Sequence, residues 1–234
     1  MTKPVAIVTG ASRGVGKAVA LLLAEKGWNL TLTCSSSLKE AKKVAKECND
    51  LGAETIVLTA DVSDVSKCKE TVQKTIEEWK RLDVLINNAG KTVFNAHENL
   101  AGLKSEDFLE IYKTNTVGPY MMIKEAEEFL RKSPIASVVN IASIAGVIGV
   151  GSSIAYVASK GALVMMTKSL AKALGPIRIN AICPGFIEGE WLKKGLGDEA
   201  YEATKNYIES STPLNMVCNP CLLYTSDAAD DHHR

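Results

Sequence analysis

The chain has 234 residues, 46% of them hydrophobic, enough for one domain with a sizeable core. Lysine plus arginine equals aspartate plus glutamate at 27 each, so no basic excess points to nucleic acid and no acidic tail to a basic partner. No apolar run is long enough to span a bilayer, which argues against a membrane partner, and the scattered cysteines have no zinc spacing, so no metal site is expected.

The run Val5-Ala6-Ile7-Val8-Thr9 is short, apolar and closed by a glycine turn, as in a buried parallel strand. Residues 17–26 form a helix that stops at Gly27. A second strand covers 30–33, a lysine-rich amphipathic helix 38–51, and a third strand 55–58. A helix over 63–79 takes Ser63 as its N-cap, and the strand 84–86 runs into Asn87-Asn88-Ala89-Gly90. Residues 105–131 read as one long helix that Gly118-Pro119 bends. A fifth strand over 137–141, a helix over 154–174 and a sixth strand over 177–182 follow. This alternation is the signature of a doubly wound parallel α/β sheet in one domain, residues 1–220.

Ligands of such sheets bind beyond the C-terminal ends of the strands. Gly10, Asp61, Asn87, Ser143 and Pro184 all fall at that edge. The turn Thr9-Gly10-Ala11-Ser12-Arg13-Gly14-Val15-Gly16 has glycines where a backbone must approach a pyrophosphate, and the helix behind it aims its N–H groups at that charge. An ordinary structural turn is the alternative. At the end of the second strand, Thr33-Cys34-Ser35-Ser36-Ser37 has no acid to bond a ribose before Glu40. Arg13, Ser35 and Lys39 are placed to meet a 2′-phosphate, so NADP(H) is favoured over NAD(H).

Tyr156 and Lys160 lie four apart on one helix face. A lysine ammonium near a phenol lowers its pKa and fits it for acid–base work, and Ser143 is suited to hold the substrate oxygen beside it. The substrate wall is expected from residues 93–95, 144–150 and a helical lid over 191–214, which suits a moderately apolar carbonyl or alcohol.

With the glycine turn, Asp61-Val62, Asn87-Asn88-Ala89-Gly90, Asn115, Ser143, Tyr156-Val157-Ala158-Ser159-Lys160 and Pro184-Gly185, the chain resembles the short-chain dehydrogenase/reductase family over residues 4–220. It is most similar to the group that holds the 3-oxoacyl-acyl-carrier-protein reductases. The resemblance implies a Rossmann-type sheet of order 3-2-1-4-5-6. It implies Tyr156 as proton donor, Lys160 as the residue that lowers its pKa and bonds the nicotinamide ribose, Ser143 as carbonyl anchor and Asn115 as part of a proton relay. It also implies a cofactor site of Gly10, Ser12, Arg13, Gly14, Val15, Gly16 and Ser35, then Asp61 and Val62 on adenine. Asn88, Ala89 and Gly90 are expected near a ribose, and Pro184, Gly185 and Ile187 near the nicotinamide. Gly189 stands where the family often has a threonine. The expected activity is NADPH-dependent reduction of a carbonyl, including a 3-oxoacyl thioester. A sugar or polyol dehydrogenase and a non-catalytic dinucleotide-binding protein are the alternatives. A cytoplasmic homodimer or homotetramer is implied for the parent protein.

Residues 221–230 resemble the translation of a transposase sequencing adapter, so residues 221–234 are expected to be a non-native tail. The family's last strand and helix are then expected to be missing, which would leave an open sheet edge and an unstable chain.

Overall fold

The computed structural model describes residues 2–220, so the expected non-native tail lies outside the described residues. The chain divides into two compact units, the first ending at Cys183 and the second beginning at Pro184.

The first unit is a parallel sheet with helices on both faces. Its strands are β1 (Val5–Val8), β2 (Asn29–Cys34), β3 (Thr55–Thr59), β4 (Val84–Asn87), β5 (Ser137–Ile141) and β6 (Arg178–Ile182). They lie in the order β3-β2-β1-β4-β5-β6, as the resemblance implies. The connecting helices are α1 (Gly14–Glu25), α2 (Leu38–Asp50), α3 (Val65–Trp79), α4 (Ser105–Tyr112), α5 (Gly118–Leu130), α6 (Ala145–Ile148) and α7 (Ile154–Ala173).

Alternation along the strands sorts the core into two layers. Ile7, Leu85, Val138 and Ile179 are neighbours in register and form one buried row. Val72 of α3, Met122 and Ala126 of α5, and Leu170 of α7 join that cluster. Ala6, Val8, Leu30, Leu32 and Ile86 face the other way, among Ala20 and Ala24 of α1 and Val44 and Cys48 of α2. At the N-terminal edge the buried carboxylate of Asp83 accepts from Val5 N at 2.8 Å, from Arg81 Nε and Nη2 at 2.9 Å each, and from Ser133 Oγ at 2.6 Å. Burial pushes its pKa up, but the bonds from Arg81, Ser133 and Val5 outweigh it and hold the carboxyl below its ordinary value.

Three local expectations change. Asp64, not Ser63, caps α3, because its side chain accepts from Ser66 N at 2.8 Å. The long helix over 105–131 is divided: α4 and α5 are joined by a π turn, Lys113–Val117, in which Thr114, Asn115 and Thr116 are buried. Pro119 follows directly after the π turn, at a point where the proline offers no backbone N–H to an i→i−4 bond. The short helix α6 adds an element that the sequence pattern does not predict, because it has too few residues for a periodic signal.

The second unit contains α8 (Glu190–Leu196) and α9 (Asp198–Ser211). Ile187 forms a parallel bridge with Cys218, Glu188 N donates to Cys218 O at 2.8 Å, and Phe186 packs on Tyr201 with ring centres 5.3 Å apart. Among the described residues no helix is long and apolar enough to cross a membrane.

Candidate active site

The glycine turn closes β1 and opens α1. Gly10 and Gly14 both adopt left-handed backbone, with φ of +64° and +55°. Gly16 cannot carry a side chain, since a Cβ would stand 2.4 Å from Gly10 O and 2.5 Å from Asn88 Nδ2. Two residues from neighbouring strand ends fix the turn. The Thr9 hydroxyl accepts from Asn88 N at 2.9 Å and Ala89 N at 3.0 Å, and the Asn88 amide donates to Thr9 O at 2.9 Å and Gly10 O at 3.0 Å. Asn88 thus places the turn through its amide. Thr9 joins the site residues that the motif names, and its place directly before the first glycine is the signal for it in the sequence.

The start of α1 suits a dinucleotide pyrophosphate. Arg13 at its N-cap makes no side-chain capping bond, the first turn has no acid, and the space beside Gly14 is open within 4 Å. Unsatisfied N–H groups and the positive helix end remain for an anion. Arg13, Ser35 and Ser36 are exposed, and Ser12 is half-buried. Burial pushes the Cys34 thiol up and the Glu40 charge adds to the effect, so this acid acts electrostatically on the end of β2. Asp61 is exposed, and its carboxylate accepts from Ser63 N at 2.9 Å, while Val62 is buried against Gly118 of α5.

Ser143 follows β5, and Tyr156 and Lys160 lie on α7. The Ser143 and Tyr156 side chains are hydrogen-bonded to each other. Lys160 is 4% exposed, its Nζ donates to Ile141 O at 2.7 Å and stands 5.7 Å from the Tyr156 ring centre. The two segments are pressed together by glycines: a Cβ on Gly146 would stand 2.4 Å from both Gly161 N and Lys160 C. Ser153 caps α7 and accepts from Tyr156 N at 3.3 Å. Asn115 is fully buried in the π turn. Its Oδ1 accepts from Lys91 N at 2.8 Å, and its Nδ2 donates to Lys91 O and to Ser159 Oγ, both at 2.9 Å. Gly90 lies between Asn115 and Lys160, since a Cβ there would be 3.6 Å from Asn115 Oδ1 and 3.7 Å from Lys160 Nζ. The structure therefore brings Gly90, Asn115, Ser143, Tyr156 and Lys160 together. Pro184, Gly185 and Ile187 belong to the second unit.

One electrostatic expectation is reversed. Burial pushes the Tyr156 phenol above its ordinary value, and the bond with Ser143 offsets this only in part. Sequence spacing had implied a phenol lowered by Lys160. The same burial drives the lysine itself down to about 8, with the Cys183 charge opposing the shift. Its Nζ is also engaged by the Ile141 carbonyl.

Residues 4–199 match the family model described as short chain dehydrogenase. The chain belongs to the short-chain dehydrogenase/reductase family. It is 34% identical over 204 residues to the 3-oxoacyl-acyl-carrier-protein reductase FabG of Staphylococcus aureus, with 86% of this chain and 81% of that one covered. The corresponding reductase of Synechocystis is 34% identical over 189 residues, covering 80% of this chain and 75% of that one. Among solved structures, NAD+-bound xylitol dehydrogenase is similar at a TM-score of 0.85 and 27% identity, covering 94% of this chain and 88% of that one. Levodione reductase is similar at 0.85 and 28%, covering 96% and 89%. This short-chain dehydrogenase/reductase is accordingly an oxidoreductase that uses a nicotinamide dinucleotide.

Proposed function

We propose that this enzyme is an NADPH-dependent carbonyl reductase that acts on an apolar 3-oxoacyl thioester or a ketone like it. The observation that carries the reading is the convergence of Ser143 and Tyr156 with the buried Lys160, whose Nζ stands 5.7 Å from the Tyr156 ring centre. When bound, the nicotinamide supplies the hydride. Ser143 and Tyr156 hold the substrate oxygen with two hydroxyl groups, and Tyr156 donates the proton to it. A phenol raised by burial stays protonated at neutral pH, which favours proton donation over abstraction. Lys160, with a pKa of about 8, is largely charged at neutral pH and stabilises the phenolate left behind. The buried Asn115 and its Lys91 partners line the route by which the lysine recovers a proton.

For the cofactor, Gly10, Ser12, Gly14, Val15 and Gly16 cradle the pyrophosphate, and Arg13 and Ser35 take the 2′-phosphate. Asp61 and Val62 meet adenine, Asn88, Ala89 and Gly90 support the ribose side, and Pro184, Gly185 and Ile187 meet the carboxamide. The apolar substrate is supported by α6 and its flanks. Directly after Ser143, Ile144 is 37% exposed, Val147 59%, Ile148 60% and Val150 67%. An acyl chain laid on them removes apolar surface from water, a gain a polyol does not offer. We also propose a cytoplasmic homo-oligomer with no nucleic-acid or membrane partner.

Tyr156→Phe is expected to cut turnover by about 10²–10⁴-fold while NADPH binding persists. Turnover within a few-fold of wild type would refute the reading, and so would activity independent of Ser143 and Lys160. A second reading is an NADH-dependent alcohol dehydrogenase, in line with the similarity to NAD+-bound xylitol dehydrogenase, with Glu40 as the first acid after β2 to bond the ribose hydroxyls. The kcat/KM ratio for NADPH over NADH separates the two. It is expected to fall in Arg13→Ala and to change little in Glu40→Gln; the opposite pattern favours NADH.

A further inference from the structure

A serine on a helix commonly bonds back to a carbonyl three or four residues earlier, and Ser159 Oγ does so, donating to Tyr156 O at 2.7 Å. Ser159 also does something such serines do not. It is 1% exposed, and its hydroxyl accepts from Asn115 Nδ2 at 2.9 Å. Its carbonyl accepts from Thr116 Oγ1 at 3.0 Å. Asn115 and Thr116 are consecutive, and in an ordinary α-helix they would point about 100° apart. The π turn, with its wider ring, delivers both to one residue of α7. Asn115 is in turn held at Oδ1 and Nδ2 by the backbone of Lys91, beyond β4.

We propose that Ser159 is a positioning residue that fixes Tyr156 on α7 by joining its carbonyl to the π turn; this rests on the reading of Tyr156 as proton donor. Ser153 Oγ holds the Tyr156 N–H and Ser159 Oγ holds its carbonyl, so the peptide groups on both sides of the tyrosine are anchored. Ser159 precedes Lys160, and its link to Asn115 therefore ties the tyrosine and the lysine together to the π turn. The sequence motif gives no hint of this, because the serine's second partner lies 44 residues away.

Three variants test the proposal: Ser159→Ala, Ser159→Thr and Thr167→Val. Thr167 is a buried α7 residue whose hydroxyl accepts from Asn140 Nδ2 at 2.9 Å, so its loss serves as the structural control. For each variant the phenol is titrated by ultraviolet difference against the same chain carrying Tyr156→Phe, and kcat and KM are measured with NADPH. Ser159→Ala is expected to lower kcat about tenfold or more with little change in the KM for NADPH. It is also expected to displace the Tyr156 titration. Ser159→Thr, which keeps the hydroxyl, restores both, and Thr167→Val lowers thermal stability without moving either. A folded Ser159→Ala with wild-type kcat and titration would overturn the proposal, as would equal displacement by Thr167→Val. The titration reads the phenol without turnover, so a wrong assignment of the proton donor, shown by an active Tyr156→Phe, is distinguished from a wrong role for Ser159.

Discussion

Gly146→Ala adds one methyl group at the point where the Ser143 segment crosses α7. Ordinary van der Waals contact begins at 3.4 Å, and the new Cβ would stand 2.4 Å from Gly161 N and from Lys160 C, both backbone atoms of a helix interior. Neither is able to swing aside, so the two segments separate by about 1 Å, the difference between those distances. Gly146 N donates to Ser143 O at 3.1 Å, and Ala145 N donates to Ser143 Oγ at 3.1 Å, so the displacement is carried to the serine hydroxyl. Overpacking of this kind costs about 1–3 kcal/mol, which for a chain of this size lowers Tm by roughly 2–12 °C. A misplacement of about 1 Å between reacting groups lowers kcat about 10²-fold. Gly161→Ala adds its methyl group to the same crossing from the other side, but meets Gly146 O at 3.3 Å and Gly146 Cα at 3.9 Å, a shortfall of a tenth of an ångström. It is expected to cost little. The assay is kcat and KM on both variants, with NADPH affinity from fluorescence titration and Tm from calorimetry. NADPH affinity should fall far less than kcat in both, because the glycine turn proposed to hold the pyrophosphate is untouched. A Gly146→Ala enzyme within about twofold of wild-type kcat, or a Gly161→Ala enzyme as damaged as Gly146→Ala, would refute the reasoning.

Lys160 carries a stability cost beside the chemical role proposed for it. Its pKa falls from 10.5 to about 8 on folding, so between those values the unfolded chain binds more protons and stability rises with pH. Below about 8 the folded chain holds a buried charge at a cost of about 3 kcal/mol, and Lys160→Met should be more stable than wild type at pH 7. Denaturant melts from pH 7 to 10 should show that advantage shrinking; a constant difference would contradict the origin assigned to the shift. Asp83 works in the opposite sense and far from the chemistry. Its lowered pKa contributes stability above the ordinary carboxylate range that is lost as pH falls through the folded value. Asp83→Ala should cost about 3–5 kcal/mol at pH 7, leave kcat unchanged, and converge with wild type in acid melts. A pH-independent deficit, or a fall in kcat per folded molecule, would count against a purely structural anchor.

The parts of this enzyme that were legible in the sequence are those fixed by local pattern. Apolar runs closed by Gly10 or by Asn87-Asn88 gave the strands, and the spacing of Tyr156 and Lys160 put them on one helix face. The π turn was not legible, because Gly118-Pro119 is an adequate local reason for a bend. The fold adds that Asn115 and Thr116 both bond Ser159 of α7 from this turn, contacts that no local pattern reveals. The sign of the Tyr156 shift is illegible in the sequence for a related reason. Spacing reveals that a lysine is near, but only the fold reveals that both groups are buried and that Lys160 Nζ is engaged by a backbone carbonyl.

Gly146 and Gly161 make the point most sharply. Neither belongs to the recognised motifs, they lie in separate helices, and nothing in composition or periodicity distinguishes them from glycines in open turns such as Gly149 or Gly175, where a Cβ would meet nothing within 4 Å. What distinguishes them is that two backbones touch there. At Gly146 that contact leaves no room for a Cβ, so the placement of Ser143 against α7 depends on a side chain that is absent as well as on those that are present. The family motif names the groups proposed to do the chemistry. The glycine crossing, the Ser153 cap and the Asn115–Ser159 link determine whether those groups meet.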